Sequence, residues 1–139
     1  MSRSTEAISA LVELLDMSPT DAEAWAELSD LYFSQNLFQQ AIFSLEEVLL
    51  IMPNAWNVRL VCSEDIRSTT DMASLQMHAR MGEIVYVSGL AVNPPNDAHM
   101  EKTLADSLRW YCRSIELCED YLRGFYGIKL VSRTRFRNK

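Results

Sequence analysis

Glycine and proline are scarce in this chain of 139 residues, at four each. That scarcity excludes collagen-like and flexible-linker architectures and leaves room for long uninterrupted elements. Cysteine is sparse too: Cys62, Cys112 and Cys118 are odd in number, and their spacing fits neither a metal knuckle nor a disulfide framework. A reducing compartment and buried thiols are expected. His78 and His99 are the only histidines, and neither stands at a His-Glu or Cys-His spacing that would build a metal site. No apolar run approaches the roughly 20 residues of a membrane-spanning helix. Residues 1–17 lack the apolar core and small-residue cleavage site of a signal peptide. Gly124 and Gly127 are not followed by the Lys-Ser/Thr step of a phosphate-binding loop. Glu46 and Glu47 are helix neighbours pointing to different sides, so they cannot act as paired carboxylates. Catalysis, a metal and a cofactor are not expected.

What remains is 48% apolar, enough for a real core at this length. Met52, Met72, Met77, Met81 and Met100 read as adaptable filling of that core and its interfaces. Charge is unevenly spread. Residues 1–57 carry nine acids and one base, whereas the last stretch, RGFYGIKLVSRTRFRNK, carries six bases and no acid. Two readings of that basic end stand open: a solvated, frayed terminus, or a contact with acidic protein, RNA or anionic lipid. No aromatic-interleaved signature of nucleic-acid binding accompanies it, so nucleic acid is not an expected partner.

Apolar residues recur at helical spacing nearly throughout. Ala7, Ile8, Leu11, Leu14 and Leu15 form one stripe expected to be buried. Pro19 breaks that helix. Thr20 and Glu23 form a capping box that starts the next. Helices are expected over about 21–34 and 38–52, joined by a short Gln-Asn-Leu turn that suits an antiparallel hairpin. Such a hairpin cannot bury its apolar faces alone, and a neighbour is visible as a repeat. Ala7, Leu11 and Pro19 recur 34 residues later as Ala41, Leu45 and Pro53. Trp25, Leu28, Ser29 and Tyr32, then Ala41, Leu45 and Pro53, are similar to the tetratricopeptide pattern of helix-turn-helix repeats. Ser29 replaces the usual Gly and Leu45 the usual Phe, yet a small residue stays where helices cross and a large one where the core fills. With Trp25 filling that space, Trp25→Ala is expected to cost about 3–5 kcal/mol.

The register then slips. Met81 and Gly82 take the Leu28 and Ser29 slots only if residues 58–76 are skipped. That segment is either a genuine surface loop or a translated intron, since Val58 has a codon beginning GT and Gln76 can be encoded by CAG. An enlarged polar turn, NPPNDAHMEKT, follows. Ser107, Tyr111 and Ser114 then supply small, bulky and small slots, and Phe125 and Ile128 take the Trp and Leu slots of a further repeat. The expected fold is all-α: a right-handed tetratricopeptide-like solenoid of antiparallel helix pairs. It forms one domain, 1–139, with repeat remnants at about 4–19, 21–53, 55–119 (the insertion at 58–76 included) and 122–139.

The order of exposed as well as buried features carries a closer resemblance. Glu23-Ala24-Trp25 with Glu27-Leu28, Leu31-Tyr32, Ala41-Ile42-Phe43 with Leu45-Glu46-Glu47, and the late RGFYGIKL together resemble the family of subunit 2 of the endoplasmic reticulum (ER) membrane protein complex, in its fungal form. The resemblance implies a non-enzymatic scaffold on the cytosolic face of the ER membrane. Its partners would be other subunits of that complex, its membrane association peripheral and indirect. It would support insertion of transmembrane helices and tail anchors. The resemblance also implies further helices on both sides, so a fragment or truncated gene model is expected. Tetratricopeptide arrays hold ligands in a groove lined by the first helix of each pair, which here puts Glu23, Ala26, Asp30 and Phe33 on the partner-facing side. Acids there would repel the acidic chaperone tails that other repeats clamp. The alternative function is a general tetratricopeptide adaptor holding a peptide or helix of a soluble partner.

Overall fold

The computed structural model describes residues 3–52, 69–91, 97–117 and 120–137, and their regular structure is entirely helical. The helices are α1 (Arg3–Met17), α2 (Ala22–Ser34), α3 (Phe38–Ile51), α4 (Thr69–Leu90), α5 (Asp97–Leu117) and α6 (Leu122–Arg137). No helix among the described residues is long and apolar enough to cross a membrane. The chain divides into two compact units, Met1–Pro53 and Asn54–Lys139, at the point where the sequence ends its second repeat. Pro53 itself and residues 58–68 of the inserted segment lie outside the described residues.

In the first unit α1 ends two residues before Pro19, and α2 begins after it. The cap differs from the expected box. Asp21, not Thr20, is the N-cap, its carboxylate accepting from the backbone N–H groups of Glu23 and Ala24 at 3.1 Å each. Aspartate satisfies these orphan donors as well as threonine and adds a negative charge at the positive end of the helix. The α2–α3 turn closes as a Schellman motif. Leu37 N–H donates to Tyr32 C=O at 2.9 Å and Asn36 N–H to Phe33 C=O at 3.0 Å. Asn36 sits at φ 61°, a left-handed position that asparagine tolerates better than most residues.

Helix α2 packs against both α1 and α3. Leu15, Ala24 and Leu28 are buried together, with Ile8, Leu11, Trp25 and Tyr32 partly buried against them. Leu14, expected inside, is exposed; it adjoins Leu15 but lies a third of a turn round the helix from it. Where α2 and α3 cross, Ser29 and Ala41 are both fully buried, and Ser29 Oγ donates to Ala41 C=O at 2.9 Å. The hydroxyl occupies space a larger residue could not share and adds one inter-helix hydrogen bond. Leu45 and Val48, four and seven residues beyond Ala41 on the same face of α3, are also buried.

The second unit is built from α4, α5 and α6, each packed on the other two. Helix α4 begins at Thr69, so 69–76 of the inserted segment is helix continuous with Met77–Leu90 rather than surface loop. Asp97–Thr103, expected within the polar turn, opens α5 instead; the apolar spacing of Met100, Leu104 and Leu108 runs on to the helical side of the prolines. The α4–α5 crossing mirrors α2–α3 with the donor exchanged: Ser107 Oγ donates to Gly82 C=O at 2.7 Å. Tyr111 is buried. A Cβ placed on Gly82 would sit 3.1 Å from its ring, and one on Gly127 would overlap it. The ring therefore fills space that two bare backbones leave open, one from α4 and one from α6. Ser114 is buried on the same helix, and Met81 lies in the core.

Burial, reinforced by the nearby Glu83 carboxylate, pushes the Tyr111 phenol from its ordinary 10.0 up to about 12. The folded state thus holds this proton more tightly than the unfolded chain. The resulting stability is complete below pH 10 and is lost as pH rises through about 12. In alkaline titrations the unfolding midpoint of the native chain should fall across that window, and Tyr111→Phe should flatten the fall.

Candidate functional site

Helix α2 presents two flanks. One carries Trp25, Leu28, Ser29 and Tyr32 toward its neighbours. The other carries Glu23, Ala26, Asp30 and Phe33 at helical spacing, with Glu23 and Asp30 exposed and Ala26 and Phe33 half-buried. The Phe33 ring meets that of Phe38 on α3 edge-on, centroids 5.9 Å apart. The four residues therefore share a face, acidic at its surface with an aromatic pair at one end.

The first flank opens onto a cleft that sequence reasoning missed. It is a cavity of about 370 Å³ lined by Val12, Leu15 and Asp16 of α1, Trp25, Leu28 and Tyr32 of α2, and Gln40, Phe43 and Ser44 of α3, with Pro19 between α1 and α2. Helices α1 and α3 each pack on α2, and their side chains line the cleft together with Trp25, Leu28 and Tyr32. Trp25 is half-buried rather than enclosed. Its indole N–H donates to Pro19 C=O at 2.9 Å, and Phe43 meets its ring edge-on at 6.0 Å. Partial exposure reduces the expected cost of Trp25→Ala to about 2–3 kcal/mol, read from denaturant unfolding. The sequence signal for the cleft was Phe43, a large aromatic on α3 outside the repeat's core slots.

In the second unit the described part of the basic end forms α6 through Arg137 rather than a frayed terminus. Two of its arginines are held by other helices: Arg123 pairs with Glu83 of α4 at 2.9 Å, and Arg135 with Glu101 of α5 at 3.1 Å. Arg80 also reaches Glu83 at 2.9 Å, and the hydroxyls of Tyr86 and Thr134 lie 2.9 Å apart across α4 and α6. Phe125, assigned to the core slot that Trp25 fills, is 50% exposed. Gly124, Gly127, Val131 and Thr134 turn inward instead. Ile128 packs half-buried against the Tyr111 cluster. Cys112, expected buried, is exposed, because it stands a third of a turn round α5 from the inward Tyr111. His78 is half-buried with its ring 5.8 Å from that of Trp110, and His99 is exposed. Among the described residues no three His, Cys, Asp or Glu side chains gather where they could hold a metal ion.

Helix pairs crossing at Ser29–Ala41 and Gly82–Ser107 make a tetratricopeptide-like helical fold, and a tetratricopeptide-repeat family profile matches residues 2–60. The fold of the chain is tetratricopeptide-like. The chain is similar to subunit 2 of the ER membrane protein complex of Saccharomyces cerevisiae, with 32% identity over 93% of this chain and 37% of that protein. It is also similar to the TPR repeat protein oca3 of Schizosaccharomyces pombe, with 34% identity over 92% of this chain and 36% of that protein. The chain thus spans little more than a third of the length of these relatives. Among solved structures it is similar to MamA at 16% identity, covering 97% of this chain and 85% of that one. The TM-score there is 0.35, too low to add to the fold assignment.

Proposed function

We propose that this chain acts as a non-enzymatic scaffold within the ER membrane protein complex, held peripherally and indirectly at the cytosolic face of the ER membrane. There it supports the insertion of transmembrane helices and tail anchors by keeping other subunits of the complex in place. The observation that carries this reading is the match to the yeast subunit, which runs along 93% of this chain and so spans both compact units. The physical argument agrees with it. The interiors are spent on helix packing, at Ser29, Leu45, Gly82 and Tyr111, while the helix flanks are left for other chains. On this reading Glu23, Ala26, Asp30 and Phe33 form one partner-facing surface, and its acidity selects against acidic ligands.

Co-purification tests it. An affinity-tagged chain, expressed in yeast lacking its own subunit 2 and extracted in mild detergent, should bring down the remaining subunits of the complex in stable proportion. Recovery as a free protein, or bound only to soluble partners, would replace this reading with the general adaptor.

A further inference from the structure

We infer that the cleft between α1 and α3 is a second docking site, on the opposite flank of α2 from Glu23, Ala26, Asp30 and Phe33, and that it takes the apolar face of a basic amphipathic helix from a partner protein. This inference deepens the scaffold reading and rests on it for the existence of such a partner.

Three observations select that occupant. The cavity, about 370 Å³, falls within the range of about 300–1,000 Å³ typical of ligand pockets. Its walls keep apolar side chains in contact with water: Val12 is 39% and Phe43 54% exposed, a poor arrangement unless something covers them. The lining is also elongated, since it runs over about two turns of α2 from Trp25 to Tyr32 with residues of both α1 and α3 alongside. A helix laid along such a lining presents anchors at i, i+3 or i+4, and i+7, the usual mode of helix-in-groove recognition.

Charge then fixes the sign of the partner. Asp16 is the one charged side chain among the lining residues, and residues 1–57 carry nine acids against one base. An acidic peptide or an anionic lipid surface would meet repulsion there. A helix with Lys or Arg one turn from its apolar anchors would set a cation against Asp16 while its leucines or aromatics cover Phe43 and Val12.

The test uses the purified full chain and a fluorescein-labelled amphipathic Leu/Lys peptide of about five turns, with a Leu/Glu peptide of the same pattern as control. Binding of the Leu/Lys peptide is followed by anisotropy. Saturable binding is expected, weakened at least about tenfold by Phe43→Asp and roughly three- to tenfold by Asp16→Lys. Glu23→Lys, on the other flank, should leave it unchanged. Val12→Asp is the second wall variant, and circular dichroism of each variant checks that the helices persist. Three results overturn the proposal: no saturable binding, equal binding of the Leu/Glu peptide, or a loss in Glu23→Lys as large as in Asp16→Lys. A concentration-dependent rise in mass that Phe43→Asp abolishes would make the occupant a second copy of this chain and also overturn it. Co-purification with the complex is read separately, so a chain that assembles but ignores the peptide sinks the cleft and leaves the scaffold reading standing.

Discussion

Replacing Gly127 by valine is expected to remove about 3 kcal/mol from the second unit, measured as a lowered denaturant midpoint with unchanged slope. The buried Tyr111 ring already occupies the place a Cβ on residue 127 would take, and it is hemmed in from α4 by Gly82. Close-packed interiors have few empty volumes into which a ring can retreat. The gain in helix propensity on leaving glycine is smaller and only partly offsets the clash. Tyr111→Ala should itself cost about 3–5 kcal/mol, yet it clears the obstacle, so the double variant should lose distinctly less than the two single losses combined. Strict additivity, or a Gly127→Val cost under about 0.5 kcal/mol, would mean that the ring does not brace α4 and α6.

Leu45→Ala is the counterpart in the first unit, with an expected cost of about 2–5 kcal/mol. Leu45 is 1% exposed and stands one turn beyond Ala41 on the buried face of α3, so truncation leaves a cavity in a close-packed interior. A unit of this size has little stability to spare. The thermal transition of residues 1–53 should therefore move well below that of the unaltered chain. Leu50→Ala, on the exposed side of the same helix, should stay within about 0.5 kcal/mol and so calibrates the measurement.

The contrast between Leu45 and Leu50 shows what periodicity can read. A three-and-four spacing names the inward face wherever a helix is covered on one side, which is why α2 and α3 lie close to their expected bounds. The same reasoning found the small residues at both crossings, although it could not say that the hydroxyl donor sits on the first helix of one pair and on the second helix of the other. It read less well where two signals competed. Thr20 and Asp21 are both good caps, and only the chain path through Pro19 chose between them. The adjacent prolines Pro94 and Pro95 marked a break, but their pull on the reading extended it over Asp97–Thr103, which is helical. Phe125 fits a core slot by spacing, yet it is half exposed, and Gly124 and Gly127 face inward in its place.

The sequence by itself determined that the chain is helical, where its first hairpin lies, which small residues permit close crossings, and that its charge is acidic early and basic late. These are properties of neighbours a few residues apart, governed by helix geometry and side-chain size. Only the tertiary structure decided that Asp16, Trp25 and Phe43, drawn from three helices, line one cleft, that Tyr111 is clasped between two glycines, and that Glu83 holds both Arg80 and Arg123. Each of these depends on which faces of separate helices meet, and the packing of whole helices against one another sets that, not the local spacing along any one of them.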